Sequence, residues 1–180
     1  MNKTRDLTQI AFFALLLICS SQISIPMAVP FTLQTFGIFF ILTLAGGKKG
    51  TLAILVYLLL GSFGLPVFAG FRGGLASLMG PTGGYLLGFL AMGLIYCVAE
   101  HFLDKKHLPI ALILGLVTDY CLGTLWFMFS LSQSGSPTTF WSALSLCVIP
   151  FIIPDAIKLY LGMLLGKRLE TPLAHLLHTK

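Results

Sequence analysis

The sequence predicts an all-α membrane protein, a six-helix transmembrane bundle with both termini on the cytoplasmic side. Three observations predict it. Apolar residues make up 57% of the 180 residues and only 9% are charged, against roughly 25% charged in a soluble domain. The apolar residues form six runs, most of them close to the about 20 residues that a spanning helix needs. Four basic clusters punctuate those runs: Lys3 with Arg5, Lys48 with Lys49, Lys105 with Lys106, and Lys167 with Arg168. With six spans all four fall on one side, and only Arg72 falls on the other. Five or seven spans would break that agreement, so the basic side is read as cytoplasmic.

The first span covers about 8–25 and follows a basic start. Leu16-Leu17-Ile18-Cys19 loosely resembles a lipoprotein cleavage box, but Ile18 stands where a small residue is needed. The second span, about 33–46, is short. The third, about 50–68, carries Gly61, Gly64 and Pro66, which should break its last turn. The fourth and fifth cover about 84–103 and 108–131. The sixth, about 141–166, contains Pro150 and Pro154, and a kink is expected just before Asp155. Residues 167–180 make a short basic cytoplasmic tail, in which His175 and His178 have helical spacing. One integral membrane domain uses the whole chain.

The two outer connections are unlike solvent loops. Residues 25–34 are apolar and rich in proline, which favours extended backbone over helix. Residues 68–85 hold glycines at 70, 73, 74, 80, 83 and 84. Irregular backbone near a bilayer is tolerated where protein covers it or where it lines a cavity. The two segments therefore read as a lid over a pocket, with Pro30, Thr32, Gly73, Gly74, Gly80, Thr82 and Gly83 as lid residues. Phe31, Phe68, Phe71 and Tyr85 would sit at the same outer end.

Several function classes find no support. The basic residues are scattered in pairs, as topology signals rather than a nucleic-acid surface. Cys19, Cys97, Cys121 and Cys147 lie in apolar runs without CxxC spacing, so free thiols are expected and no metal site. The glycine-rich stretch lacks a Gly-Lys-Ser/Thr ending and is no P-loop. No nucleophile and base pair suggests catalysis. Gly84 with Gly88, and Gly162 with Gly166, have the spacing of close helix contacts. They read first as internal packing, and a homo-oligomer is compatible with them. Ala11 and Ala14 could form a smooth face for a membrane partner.

The charges inside the bilayer carry the functional reading. Asp155 and Lys158 lie in 144–166, a stretch with no other charge. Charge at that depth costs about 2.5–3.5 kcal/mol per residue on insertion scales. Three residues apart, the two share one helix face. The plain reading is a neutralising pair that holds the sixth helix to its neighbours. The functional reading turns them into a cavity, where the carboxylate accepts from ligand N–H groups and the ammonium donates to a carbonyl. Asp119, near the middle of the fifth span, is a third such charge. It suits either a site role or a structural one.

These residues resemble a family. Val29-Pro30-Phe31-Thr32-Leu33-Gln34-Thr35-Phe36, Gly64-Leu65-Pro66-Val67-Phe68-Ala69-Gly70, Gly80-Pro81-Thr82-Gly83-Gly84-Tyr85-Leu86 and Ile153-Pro154-Asp155 with Lys158 are similar in kind and order to BioY, the biotin-binding membrane subunits of energy-coupling factor transporters. The resemblance runs from about residue 8 to 168. It implies a six-helix fold that binds biotin near the outer face, with the first and third connections closing over the pocket. It implies ligand contact by Asp155 and Lys158. It implies partners: a transmembrane coupling subunit, two cytoplasmic ATPase subunits and membrane lipid. Such subunits are thought to topple in the membrane to deliver their ligand, and some relatives occur without a dedicated coupling module. The chain departs from the family in two places. Small residues on the first helix are often four apart, whereas Ala11 and Ala14 are three apart. Phe71 and Arg72 are bulky where small residues are expected.

The expectation is therefore biotin uptake at a bacterial cytoplasmic membrane, without covalent chemistry or a cofactor. Substrate contacts fall to Asp155, Lys158, Tyr85, Phe31, Phe68 and Asp119, with Arg72 either meeting the biotin carboxylate at the pocket mouth or sitting in solvent. A stand-alone biotin transporter is the nearest alternative. A membrane enzyme or an ion pathway through Asp119, Asp155 and Lys158 is more distant.

Overall fold

The structure, a computed structural model, describes residues 3–178. Side chains at Thr171 and beyond Pro172, His175 and His178 among them, lie outside the described residues. The elements in order are α1 (Lys3–Gln22), β1 (Ser24–Ile25), β2 (Phe31–Thr32), α2 (Gln34–Ser62), α3 (Leu75–Met79), α4 (Gly83–Phe102), α5 (Leu108–Gln133), α6 (Phe140–Cys147) and α7 (Ile149–His178). β1 and β2 pair antiparallel, Ser24 with Thr32 and Ile25 with Phe31. The proline-rich segment between them thus becomes a small hairpin.

α2 is two helical stretches that meet at Gly46 rather than one straight helix. Gly46 has φ 80° and ψ 168°, far from helical values. The chain doubles back there, so that Gln34 Nε2 donates to Tyr57 Oη at 2.5 Å. In a straight helix those residues would stand about 34 Å apart. A side chain at Gly46 would be strained in this left-handed backbone. The turn is fastened from two sides. Glu100 of α4 accepts the Gly47 N–H at 2.6 Å, and Lys49 reaches Asp6 at 2.7 Å and Gln9 Oε1 at 2.6 Å on α1. The hydrogen bond from Lys49 holds the Asp6 carboxyl below its usual range. Glu100 is thus a fastener of the α2 turn.

Among the described residues four helical stretches are long and apolar enough to cross a membrane: Gln34–Ser62, Gly83–Phe102, Leu108–Gln133 and Phe140–Glu170. α1 is diluted by Arg5 and Asp6 at one end and by Ser20, Ser21 and Gln22 at the other. α2 is the hub, packing on α1, α4 and α7, and α5 packs on α4. Phe39, Ile41, Leu42, Ile54, Tyr57 and Met92 fill the main core. A smaller cluster, with Val29, Tyr85, Phe127, Ala143, Cys147 and Phe151, lies by the β1–β2 hairpin and α6. Phe12, Val98, Leu125, Phe129 and Ile153 are exposed around the outside, as suits side chains whose solvent is lipid.

Two expectations need correction. The break in the last apolar stretch is at Val148 (φ −124°, ψ −55°), not just before Asp155. Pro150 falls in the first turn of α7, where a missing N–H costs nothing, so the chain bends ahead of it. Pro154 is carried inside the helix. Ala11 and Ala14 do not share a free face: Ala14 is buried in the core while Ala11 is exposed. The glycine pairs serve internal packing. Gly84 and Gly88 abut Trp126 and Asp119 on α5, and Gly162 and Gly166 abut Phe39 and Thr43 on α2.

Candidate ligand-binding site

A cavity of about 360 Å³ opens at the end of the bundle that carries β1, β2 and α3. That volume lies within the usual range for small-molecule sites, about 300–1,000 Å³. Helices α2, α4, α5 and α7 supply its floor, and the segments around Pro30 and Gly80 supply its rim. A second cavity of about 260 Å³ lies at the opposite end, by Gly46, Glu100, Lys105, Lys167 and Glu170. Only the first has buried charges in its wall: Asp119, Asp155 and Lys158 are 2%, 2% and 6% exposed.

The Asp155 and Lys158 pair is fully engaged. Lys158 Nζ donates to Asp155 Oδ1 at 2.8 Å, to the Thr32 carbonyl at 2.7 Å and to Thr35 Oγ1 at 3.2 Å. An ammonium has three hydrogens, so all are in use. Its remaining face lies 3.9 Å from the centre of the Phe31 ring, a cation–π contact. Asp155 Oδ1 also accepts from Thr35 Oγ1 at 2.9 Å, and Oδ2 accepts from Tyr120 Oη at 2.7 Å. Taking two ions out of water costs several kcal/mol each, which is recovered only with geometry of this kind. One further lone pair on Asp155 Oδ2 stays available to a donor in the cavity.

Other polar groups are aimed by their own partners. Gln34 Oε1 accepts from Thr32 Oγ1 at 3.0 Å, while its amide donates to Tyr57. Tyr85 Oη lies 3.2 Å from Thr124 Oγ1. Asp119 is the exception: its Oδ1 has no hydrogen-bond partner among the described residues.

The rim is held by side chains from three helices. Ser21 of α1 donates to the Val67 carbonyl at 2.6 Å, and Gln22 donates to the Phe68 carbonyl at 3.2 Å and accepts from the Phe71 N–H at 3.1 Å. Trp126 of α5 donates to the Gly80 carbonyl at 2.9 Å. Lys158 of α7 holds Thr32. The two outer connections are thus fixed to the bundle at points that flank the cavity.

Of the residues singled out in the sequence, Asp155, Lys158, Asp119, Tyr85, Phe68, Arg72, Pro30, Thr32, Gly80 and Thr82 line the cavity. Phe31 stands behind Lys158 and stacks on Phe151, 6.0 Å between ring centres. Gly73 and Gly74 lie in the second outer connection and Gly83 opens α4, all three outside the wall. Sequence reasoning passed over Gln34, Thr35, Ser77, Tyr120 and Phe151. Gln34 and Thr35 could have been found, since two polar residues open an apolar span. Tyr120 had a signal only in following Asp119. Among the described residues no group of His, Cys, Asp and Glu is placed to hold a metal ion.

Comparison with known proteins gives the family. The BioY family matches residues 1–175. "Biotin transporter BioY2" of Lactococcus lactis is 38% identical, over 97% of this chain and 94% of that protein. "Biotin transporter BioY" of Thermotoga maritima is 39% identical, over 92% and 96%. A crystal structure of the S-component for biotin from an ECF-type ABC transporter superimposes with a TM-score of 0.81 and 31% identity, covering 95% of this chain and 94% of that one. The apolar helices and these likenesses together make this a multi-pass membrane protein, and the chain belongs to the BioY family.

Proposed function

We propose that this chain captures biotin in the cavity beneath the two anchored connections, as the substrate-binding subunit of an ATP-driven uptake system. Biotin uptake follows from the family and its relatives. The chain is a transporter rather than an enzyme, and biotin is its cargo rather than a cofactor. The observation that carries the site is the buried cluster of Asp155, Lys158, Tyr120 and Thr35 in the cavity wall. Biotin offers two ureido N–H donors, one carbonyl, an apolar ring and a carboxylate tail. Asp155 Oδ2 accepts a ureido N–H beside Tyr120. Lys158 turns its longest contact, to Thr35, toward the ureido carbonyl. Tyr85, Phe68 and Phe89 cover the ring. Arg72, exposed at the rim, meets the carboxylate. Phe31 acts from behind, by setting the position of Lys158.

Calorimetry of the detergent-purified protein tests this reading. Biotin is expected to bind tightly. Desthiobiotin, which keeps the urea but lacks sulfur, should bind about 10-fold or more weakly. Lipoate, with a similar tail but no urea, should give no binding heat, because the polar wall would be left unpaired. Lipoate binding as tight as biotin would overturn the assignment.

The same proposal extends to topology and partners. Six crossings are counted when the doubled-back α2 is taken as two and α1 as one. The support is that Lys49, Lys105, Lys167 and the α2 turn gather at the end away from the cavity, which by the positive-inside rule is cytoplasmic. Both termini then lie inside, and the cavity opens outward. In a variant with its four cysteines replaced by serine, a cysteine at Met79 should react with a membrane-impermeant maleimide on intact cells. One at Lys106 should react only after permeabilisation. The reverse pattern would rule out this orientation. With no nucleotide motif of its own, the chain would draw energy from a transmembrane coupling subunit and two cytoplasmic ATPases in a bacterial cytoplasmic membrane.

A further inference from the structure

The urea of biotin has two N–H donors, and the hydrogen-bonded cluster around Asp155 offers room for one. Asp155 Oδ1 already accepts twice, from Thr35 and Lys158, and Oδ2 accepts from Tyr120. Gln34 Oε1 accepts from Thr32 and keeps one lone pair, but a neutral amide oxygen that already has a partner is a weaker acceptor than an unpartnered carboxylate. The second donor needs another acceptor, and an unpaired acceptor in a buried wall is costly unless something meets it. Asp119 is 2% exposed and lines the same cavity; its Oδ1, enclosed against Gly88 of α4, has no hydrogen-bond partner, and its Oδ2 makes no hydrogen bond among the described residues. It precedes Tyr120 on α5, so the Asp119 carboxyl and the Tyr120 hydroxyl that touches Asp155 come to the cavity from one turn of helix.

We propose that Asp119 accepts the second ureido N–H and makes the pocket selective for a cyclic urea with both nitrogens protonated. Asp155 and Asp119 then read one N–H each from α7 and α5. A ring with a single N–H would satisfy one carboxyl and leave the other unpaired. This rests on the biotin reading above. It goes beyond it by giving the orphan carboxyl a defined partner and the site a rule for rejecting close analogues.

The test uses biotin and two cyclic carbamate analogues, in each of which one ureido N–H is replaced by oxygen. Oxygen is no larger than N–H, so loss of affinity reports on the hydrogen bond. Wild-type protein should bind both analogues at least about 30-fold more weakly than biotin. Asp119→Leu removes the acceptor and keeps the branched shape at a somewhat larger size. It should lose about 30-fold for biotin and bind one of the two analogues as tightly as it binds biotin, while still rejecting the other through Asp155. Asp119→Asn, which keeps one acceptor oxygen, should fall between, and it decides the matter on the same ligands should the leucine variant fail to insert. If biotin affinity and analogue rejection are unchanged in these variants, Asp119 does not contact the urea, although the protein still binds biotin. If the wild-type protein does not bind biotin, the proposed function itself fails and this inference with it.

Discussion

Asp155→Asn is expected to reduce biotin affinity by at least about 100-fold and to lower thermal stability in detergent. The argument is about charge before ligand. The carboxylate takes hydrogen bonds from Thr35, Lys158 and Tyr120, all donors as they stand. An amide there turns two of its own hydrogens toward one of them. It also leaves the ammonium of Lys158, 6% exposed, without a counter-charge. Breaking a buried pair by removing one partner costs about 3–5 kcal/mol. Lys158→Ala has a different signature. It frees the Thr32 carbonyl, so the β1–β2 hairpin loses its tie to α7. Asp155→Asn combined with Lys158→Met separates the two roles of the pair. With no orphan charge left, thermal stability should return toward wild type, since apolar replacement of a whole buried pair is often neutral. Biotin binding should not return. Recovery of binding in the double variant would make the pair a structural strut alone. Unchanged affinity in both single variants would remove it from the site altogether.

How much of this site could be read from the chain follows from where each contact partner lies in the sequence. Asp155 and Lys158 are three apart on one helix, so their meeting is local and periodicity reveals it. The partners that fix their geometry are not local: Thr35 reaches Asp155 across 120 positions and Tyr120 across 35. The apolar, proline- and glycine-rich connections could be recognised as unlike solvent loops. Their fasteners, Ser21, Gln22 and Trp126, lie on other helices and look like ordinary span residues. The doubling back of α2 was legible in part. Gly46 and Gly47 stand between two apolar runs beside a lysine pair, which marks a turn. That a single left-handed glycine suffices depends on Glu100 capturing the Gly47 N–H from α4. Helix periodicity also misplaced the last break. Both prolines looked able to kink the span, but Pro150 is at a helix start, where its geometry is an asset, and the break falls at Val148. Lys158 was expected to keep a hydrogen for the ligand. It holds the first connection as well, and only the surrounding acceptors could reveal that.

Gly88→Leu is expected to abolish biotin binding, although Gly88 is not among the residues lining the cavity. Gly88 of α4 lies directly against Asp119 of α5. A methyl group there would overlap Asp119 Oδ1 and stand 3.0 Å from its Cα and 3.1 Å from its Cγ. Backbone is part of that contact, so a rotamer change cannot relieve it, and α5 must move as a unit. Asp119 and Tyr120 would move with it, while Asp155 and Lys158 stay on α7, which packs on α2. The acceptors would separate, and a rigid cyclic ligand cannot follow them. Gly88→Ala should show the graded form, with an overpacking cost of about 1–3 kcal/mol and biotin affinity lowered by about 10-fold. Gly93 is the control on the same helix. An added methyl there meets Thr51 Oγ1 at 2.8 Å, and Thr51 Cα and Ile54 Cδ1 at 3.2 Å, on residues that are not in the cavity wall. Gly93→Ala should therefore lose stability and keep affinity. Measuring melting temperature and biotin affinity for both variants separates site geometry from general loosening. If Gly88→Ala and Gly93→Ala lose affinity in proportion to stability alone, the spacing of α4 and α5 does not set the distance between the acceptors.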